Sequence, residues 1–175
     1  MSILSNYLES LIGYDKDVVK KINVSGGVII KKGKNGESQI LLIQRASNDF
    51  YPLEYEIPRG KCDKGDSKDL IKCLKREIKE ETGLDIIPIR YIGKFEYIAD
   101  RGKRRSIQYN YLCKMKDPNQ EIKLSKEHQD FRWINSMGEI ELMVHYDEIK
   151  KIISKVFNTD KRIVVYPEID EEIFE

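Results

Sequence analysis

Ile57-Pro58-Arg59-Gly60-Lys61 leads through a short charged turn into Arg76-Glu77-Ile78-Lys79-Glu80-Glu81-Thr82-Gly83-Leu84. Pro and Gly open this stretch as a loop. The run that follows has helical periodicity up to Gly83, a residue suited to the left-handed turn that ends helices. Glu77, Glu80 and Glu81 stand at i, i+3 and i+4, so they share one face of that helix. Leu70, Cys73, Leu74 and Ile78 fall on the opposite face and are expected to pack on a sheet. Three carboxylates this close repel one another unless a cation sits among them. A few hard acidic oxygens, with positions left for water and phosphate, describe a magnesium or manganese site. Taken alone, the glutamates also read as a solvated acidic face beside Lys75 and Lys79.

The loop and helix together resemble the Nudix box, G-x5-E-x7-R-E-U-x-E-E-x-G-U with U a bulky aliphatic residue. Gly60 matches its first glycine, and Arg76 to Leu84 matches its second half without a gap. Asp66 stands where the pattern has Glu, and the spacer from Ser67 to Lys75 is two residues longer than the pattern's. The departure bears on loop geometry more than on the acids. The resemblance implies an α/β/α sandwich with a mixed sheet and the box as loop–helix–loop. It also implies hydrolysis of a nucleoside diphosphate linked to another group, by metal-assisted attack of water at phosphorus. Glu77, Glu80 and Glu81, with Gly60, are then the expected holders of Mg²⁺ or Mn²⁺. Arg76 is expected to tie the loop together by pairing with an acid such as Asp66, and Gly83 to end the helix.

Upstream, Ile22 to Ile30 and Gln39 to Gln44 read as two strands of a hairpin around a Gly/Asn turn. Gly26-Gly27 marks either a bulge or a close approach of ligand to the backbone, the latter favoured by the resemblance. Phe50, Tyr51 and Tyr55, in the loop before the box, read as base-stacking or as edge-packing residues. Arg59 and Lys61 flank Gly60, and a guanidinium at Arg59 could grip a phosphate with two parallel bonds. Residues 2 to 12 have the spacing of a packing helix, so residues 1–21 are expected to form a helical extension before a domain at 22–160.

Downstream, Ile86 to Ile89 and Tyr91 to Ile98 alternate as strands, and Ser106 to Lys114 forms another. Between them Asp100 to Arg105 is a basic turn whose Lys103, Arg104 and Arg105 would neutralise a polyphosphate chain beside a metal–carboxylate site. Tyr109 is placed with them as a residue reaching the cleft. Ser125 to Ile134, with Glu127-His128 before Phe131-Arg132-Trp133, resembles a segment of the asymmetrical diadenosine tetraphosphate hydrolases, a Nudix branch. By that resemblance Glu127 becomes an added metal ligand or water-activating base, with His128 a structural hydrogen-bonder and Trp133 core. Glu139 to Phe157 reads as one helix. Ile163 to Tyr166 reads as a short strand within an acidic tail at 161–175.

Bulk properties set wider bounds. The chain has 175 residues, 40% of them hydrophobic, enough for one compact domain with a real core. Lys and Arg number 31 against 30 Asp and Glu, so nothing global points to nucleic acid or a membrane surface. No apolar run approaches the length of a membrane span, and a cytoplasmic setting is the default. Cys62, Cys73 and Cys113 are odd in number and lack C-x-x-C spacing, so neither a disulfide nor a zinc site is expected. Mixed strands among few helices give α/β (α+β) with a mixed sheet. The small-molecule partner expected is a nucleoside polyphosphate, diadenosine tetraphosphate first. An RNA 5′ end or a diphosphoinositol phosphate is the alternative, and a binding module without chemistry the rival outside enzymes.

Overall fold

The computed structural model describes residues 20–49, 51–66, 69–99 and 102–159. The expected N-terminal helix and the strand and acidic tail after residue 160 lie outside them. Seven strands form one sheet: β1 (Lys20–Lys32), β2 (Ser38–Arg45), β3 (Tyr55–Glu56), β4 (Arg59–Lys61), β5 (Ile86–Ala99), β6 (Arg104–Met115) and β7 (His128–Ile134). Among the described residues three helices accompany it: α1 (Leu70–Thr82), α2 (Met137–Met143) and α3 (Asp147–Thr159). The path across the sheet is β3-β2-β1-β6-β5, with β4 on β1 and β7 on β2. Only the central β1–β6 pair is parallel, with Lys20 opposite Arg104 and Ile30 opposite Lys114. The sheet is mixed, as the fold class requires.

Both faces of the sheet are covered, and the sequence shows why. Ile40-Leu41-Leu42-Ile43 is apolar without a break, the signature of a strand buried on both sides. Alternate residues serve opposite layers. Leu41 and Ile43 join Ile29, Cys113 and the α1 residues Leu74 and Ile78. Ile40 and Leu42 join Val28, Leu112 and the residues Ile140, Val144, Ile149, Ile152 and Ile153 of the α2–α3 layer. Each such side chain, removed from water, contributes about 2 kcal/mol.

Two expectations for single elements are corrected. The helix expected over Glu139 to Phe157 is two helices: Ser136 caps α2, and Val144 closes it in an extended conformation. The break at His145-Tyr146 lets Tyr146 turn toward the box. The strands expected at 86–89 and 91–98 are one strand, β5, kinked by irregularities at Pro88/Arg90 and Tyr91/Gly93.

The segment that opens the box lies where β1 and β2 part company. β2 meets β1 only from Ser38 to Ile40, and beyond that β3 pairs with β2 at Ile43 and Gln44. β4 meanwhile pairs with β1, Gly60 opposite Ser25 and Arg59 opposite Gly26. Gly27 N–H donates to Pro58 O at 2.9 Å and bridges the gap. The Gly26-Gly27 pair therefore accommodates protein, where the sequence favoured a ligand. A Cβ on Gly27 would stand 2.5 Å from Ile78 Cδ1, so α1 can reach the sheet only over a glycine.

Candidate active site

The helix that carries the glutamates is closed at both ends. Asp69 accepts from Lys72 N–H at 2.8 Å as its N-cap, and Gly83, at φ 73°, sends its N–H to Lys79 O. Arg76 then fastens the helix to the loop before it. Its Nε donates to Asp66 Oδ2 at 2.9 Å and its Nη2 to Lys61 O at 3.0 Å. The same guanidinium reaches Glu77 at 2.8 Å and Glu80 at 3.1 Å. Asp66 is buried, and its Oδ1 has no hydrogen-bond partner among the described residues.

A second fastener was not expected from the sequence. Cys62 and Cys73 form a disulfide, which the odd cysteine count and the spacing did not favour. Cys62 follows the last residue of β4 and Cys73 sits in the first turns of α1, so packing of the helix on the sheet brings them together. Cys113 is free and buried.

The acids differ in setting. Glu77 lies over Gly60, where an added Cβ would come 1.8 Å from Glu77 Oε2. Glu81 is 9% exposed, and its Oε2 accepts the Arg59 backbone N–H at 2.9 Å. Burial pushes the Glu81 carboxyl well above its ordinary range, and the nearby Glu56 charge adds to this against the Arg59 N–H. Burial raises Glu77 too, with Arg76 opposing. Glu80 is exposed. Among the described residues no three acidic, histidine or cysteine side chains already converge as a metal cage. What exists is two carboxyls with disfavoured negative charge beside a glycine, a setting that a divalent cation would relieve.

Behind Arg59 runs a buried polar chain that the sequence did not suggest. Arg45 bonds Asp49 at 2.7 Å and Glu56 Oε1 at 2.6 Å, while Glu56 Oε2 receives Arg59 Nε at 2.8 Å. Arg59 Nη1 reaches Gln108 Oε1 at 2.8 Å and the Tyr97 hydroxyl at 3.2 Å, and Nη2 returns to Glu56 at 2.8 Å. Four of the five guanidinium N–H groups are thus taken, so the two-pronged phosphate grip expected of Arg59 is not on offer. Gln108 donates onward to Asn110 Oδ1, and Asn110 to Gly93 O. Burial would raise the Glu56 carboxyl, but Arg59 and Arg45 outweigh it and hold it at about 2. His128 Nε2 stops 3.7 Å from Glu56 Oε1, too far for a hydrogen bond.

Strand alternation decides which other residues share the Arg59 face. Gln108 and Asn110 do, standing 3.0 and 3.1 Å from a Cβ built on Gly26. Tyr109 does not. Its ring meets Lys94 and the α1-side core, and Tyr111 stacks edge-on with Tyr91 there. Arg104 keeps the parity of Gln108 and bonds Ser106 Oγ, whereas Arg105 points the other way onto Glu96. Lys103 lies in the turn before them. Arg104 faces Lys20, four residues from the Val24 opposite Lys61, or about 13 Å along β1. The basic turn therefore stands off from the glutamates.

Glu127 is exposed, at the end of a segment laid along the C-terminal turn of α1. Lys123 N–H donates to Thr82 O at 2.8 Å, Ser125 N–H to Glu81 O at 3.0 Å, and Ala46 N–H to Glu127 O at 2.9 Å. Aromatic rings complete the surroundings. Tyr146 and Tyr97 lie 5.9 and 5.6 Å from the Arg59 guanidinium, and half-exposed Tyr51 meets Tyr146 edge-on at 6.0 Å.

Residues 23–154 match the NUDIX domain family. The chain belongs to that family. It is a Nudix hydrolase, and its curated relatives are pyrophosphatases. It is 34% identical over 131 residues to the bis(5′-nucleosyl)-tetraphosphatase [asymmetrical] of Mus musculus, covering 73% of this chain and 84% of that protein. The Rattus norvegicus protein of the same name is 32% identical over the same shares. Among solved structures, a C. elegans Ap4A hydrolase binary complex superposes with a TM-score of 0.68 at 23% identity, covering 80% of this chain and 98% of that one. The NUDIX domain of Shewanella oneidensis NrtR complexed with ADP ribose gives 0.65 at 17% identity, covering 90% and 98%. These likenesses at low identity show the Nudix fold. No helix among the described residues is long and apolar enough to cross a membrane.

Proposed function

We propose that this Nudix hydrolase cleaves dinucleoside polyphosphates, diadenosine tetraphosphate plus water giving ATP and AMP. The observation that carries the reading is the setting of Glu77 and Glu81. Glu77 lies over Gly60 and Glu81 accepts the neighbouring Arg59 N–H, two carboxyls with disfavoured negative charge. Tyr97 and Tyr146 lie by the Arg59 guanidinium, and Tyr51 meets Tyr146. Glu77, Glu80 and Glu81, with the Gly60 carbonyl and Glu127, are the groups that would hold Mg²⁺ or Mn²⁺. When bound, such an ion screens phosphate charge and lowers the pKa of a coordinated water. The protein's part is positional. Arg76 holds the loop, the Arg59 N–H aims Glu81, and Glu127, exposed on the segment bonded to the end of α1, would add a further carboxylate. Tyr51 and Tyr146, both partly exposed, each offer a base a ring against which to stack.

Lys61 beside Gly60, with Lys103 and Arg104 farther along the sheet, would supply positive charge suited to a polyphosphate longer than two units. The same standoff favours one second reading, an RNA 5′ end whose backbone continues past the cleaved phosphates. Product analysis with Mg²⁺ and then Mn²⁺ tests both, offering diadenosine tetraphosphate, triphosphorylated and capped RNA, ADP-ribose and a diphosphoinositol phosphate side by side. ATP and AMP from diadenosine tetraphosphate as the fastest reaction supports the proposal. Faster cutting of an RNA end replaces it with the second reading, and no turnover of any substrate leaves a binding module.

A further inference from the structure

We propose that the Cys62–Cys73 bond is a thiol–disulfide exchange site acting on the catalytic loop, and that its co-reactant is a dithiol reductant. The bond joins the end of β4 to α1 across the box, between Gly60 and Glu77. What it braces belongs to the candidate active site. Lys61 O, Asp63 and Asp66 are all partners of Arg76, and Arg76 in turn holds Glu77 and Glu80. The turn from Asp63 to Asp66 is therefore tied to the helix covalently through the adjacent Cys62, by the Arg76 side chain, and by the Asp69 N–H donating to Asp66 O. That arginine is 29% exposed, and its Asp63 partner 76%. The Asp63 pair, so open to water, contributes little alone, whereas the Asp66 pair is sheltered because Asp66 is buried; the disulfide is the covalent tie beside it.

The two sulfurs also differ in access. Cys73 is fully buried, whereas Cys62 is half-buried at the start of an exposed turn. A reductant thiolate attacks Cys62 Sγ and forms a mixed disulfide, while Cys73 leaves as a thiolate and takes up a proton. The second thiol of the reductant then displaces Cys62, which is protonated in turn, and the reductant departs as its own disulfide. Two electrons pass from reductant to protein. The reduced turn keeps only non-covalent ties to the helix, the Glu77–Gly60 contact loosens, and turnover falls. Cys113 lies in the core beneath α1 and takes no part. In reducing compartments a disulfide, where one forms, is usually transient and redox-sensing or catalytic, and a bond across a catalytic loop is placed to be the former.

The effect on turnover rests on the proposed hydrolase reading, but the exchange site does not. The test uses the full chain in three states: oxidised, reduced with dithiothreitol, and re-oxidised. Alkylation counting fixes the state of the cysteines, limited trypsin reports cleavage after Lys64, and diadenosine tetraphosphate with Mg²⁺ reports turnover. Reduction is expected to speed the Lys64 cut by roughly tenfold and to lower turnover several-fold. Both should reverse on re-oxidation, and Cys62→Ser should stay at the reduced values whatever is added. Three alkylated cysteines in the unreduced protein would overturn the proposal. Equal cleavage in the two states would do so as well, and so would faster cleavage with unchanged turnover. If neither state turns over, the hydrolase reading is what fails. The cleavage rates then decide the exchange site by themselves, faster cutting supporting it and equal cutting overturning it.

Discussion

The backbone N–H of Arg59 donates to Glu81 Oε2 at 2.9 Å, while the side chain of Arg59 points away into the buried chain formed by Glu56 and Gln108. One residue therefore aims a carboxylate with its main chain and anchors itself with its guanidinium. The aim of Glu81 depends on the anchor.

Replacing Glu81 by Gln keeps the shape and an oxygen for the Arg59 N–H but removes the negative charge. Turnover should fall on the order of 10²-fold or more, as when a catalytic electrostatic group is lost. Folding should survive, since burial already disfavours the charged form. Mg²⁺ should raise the Tm of the wild type by several degrees through binding to the native state, and that of Glu81→Gln by much less. Wild-type turnover in Glu81→Gln would sink the proposed chemistry.

Breaking the anchor should cost more than removing it whole. Arg59→Met leaves Glu56 buried with Arg45 as its remaining close ion-pair partner, and should destabilise the fold by about 3 kcal/mol or more. Adding Glu56→Gln should recover part of that loss, because the stranded charge goes too. Urea unfolding of the two single variants and the double variant measures the coupling, and simple additivity would argue against a shared buried network.

Glu56 also sets an acid limit. Its carboxyl sits at about 2 in the fold against an ordinary 4.5. A depressed folded value means stability that is fully present above pH 4.5 and lost as pH falls toward 2, up to about 3 kcal/mol from this group. Unfolding of the wild type and Glu56→Gln, followed between pH 2 and 6, should show the gap between them narrowing toward pH 2. A gap that stays constant would mean Glu56 titrates normally.

Tyr146 offers a ring to the substrate side of Arg59, and base–aromatic stacking is worth about 1–3 kcal/mol. Tyr146→Ala should raise KM for diadenosine tetraphosphate by about tenfold with a smaller effect on kcat, and Tyr146→Phe should restore it. Equal KM in Ala and wild type would remove the ring from the binding surface.

Some of this was legible in the sequence because local physics is strong there. Gly83 ends its helix since a left-handed residue is needed at that point, and Glu77, Glu80 and Glu81 share a face by spacing alone. The apolar run within Gln39 to Gln44 reads as a strand, and the structure shows it as β2. Other features depend on what distant strands bring together. Glu56 reads as a surface acid until Arg45 and Arg59 are seen on either side of it. Alternation separates Gln108 from Tyr109 but does not tell which of them faces the helix. Cys62 and Cys73 look unrelated in a chain with an odd cysteine count, because the folding of α1 back onto β4 is what makes them neighbours.

The wedge between β1 and β2 also makes the site non-portable. A peptide spanning Ile57 to Leu84 would contain all three box glutamates, the disulfide and Arg76. It would lack Ser25, whose hydroxyl accompanies the start of α1 by donating to Leu70 O. Missing too would be Gln108 and Glu56 that steady Arg59, and Ser125 that clasps the last turn. Those partners lie from one residue to several dozen away in sequence. Metal affinity should therefore appear in refolding only with the final cooperative step, because the motif carries the proposed ligands and the surrounding sheet sets their geometry.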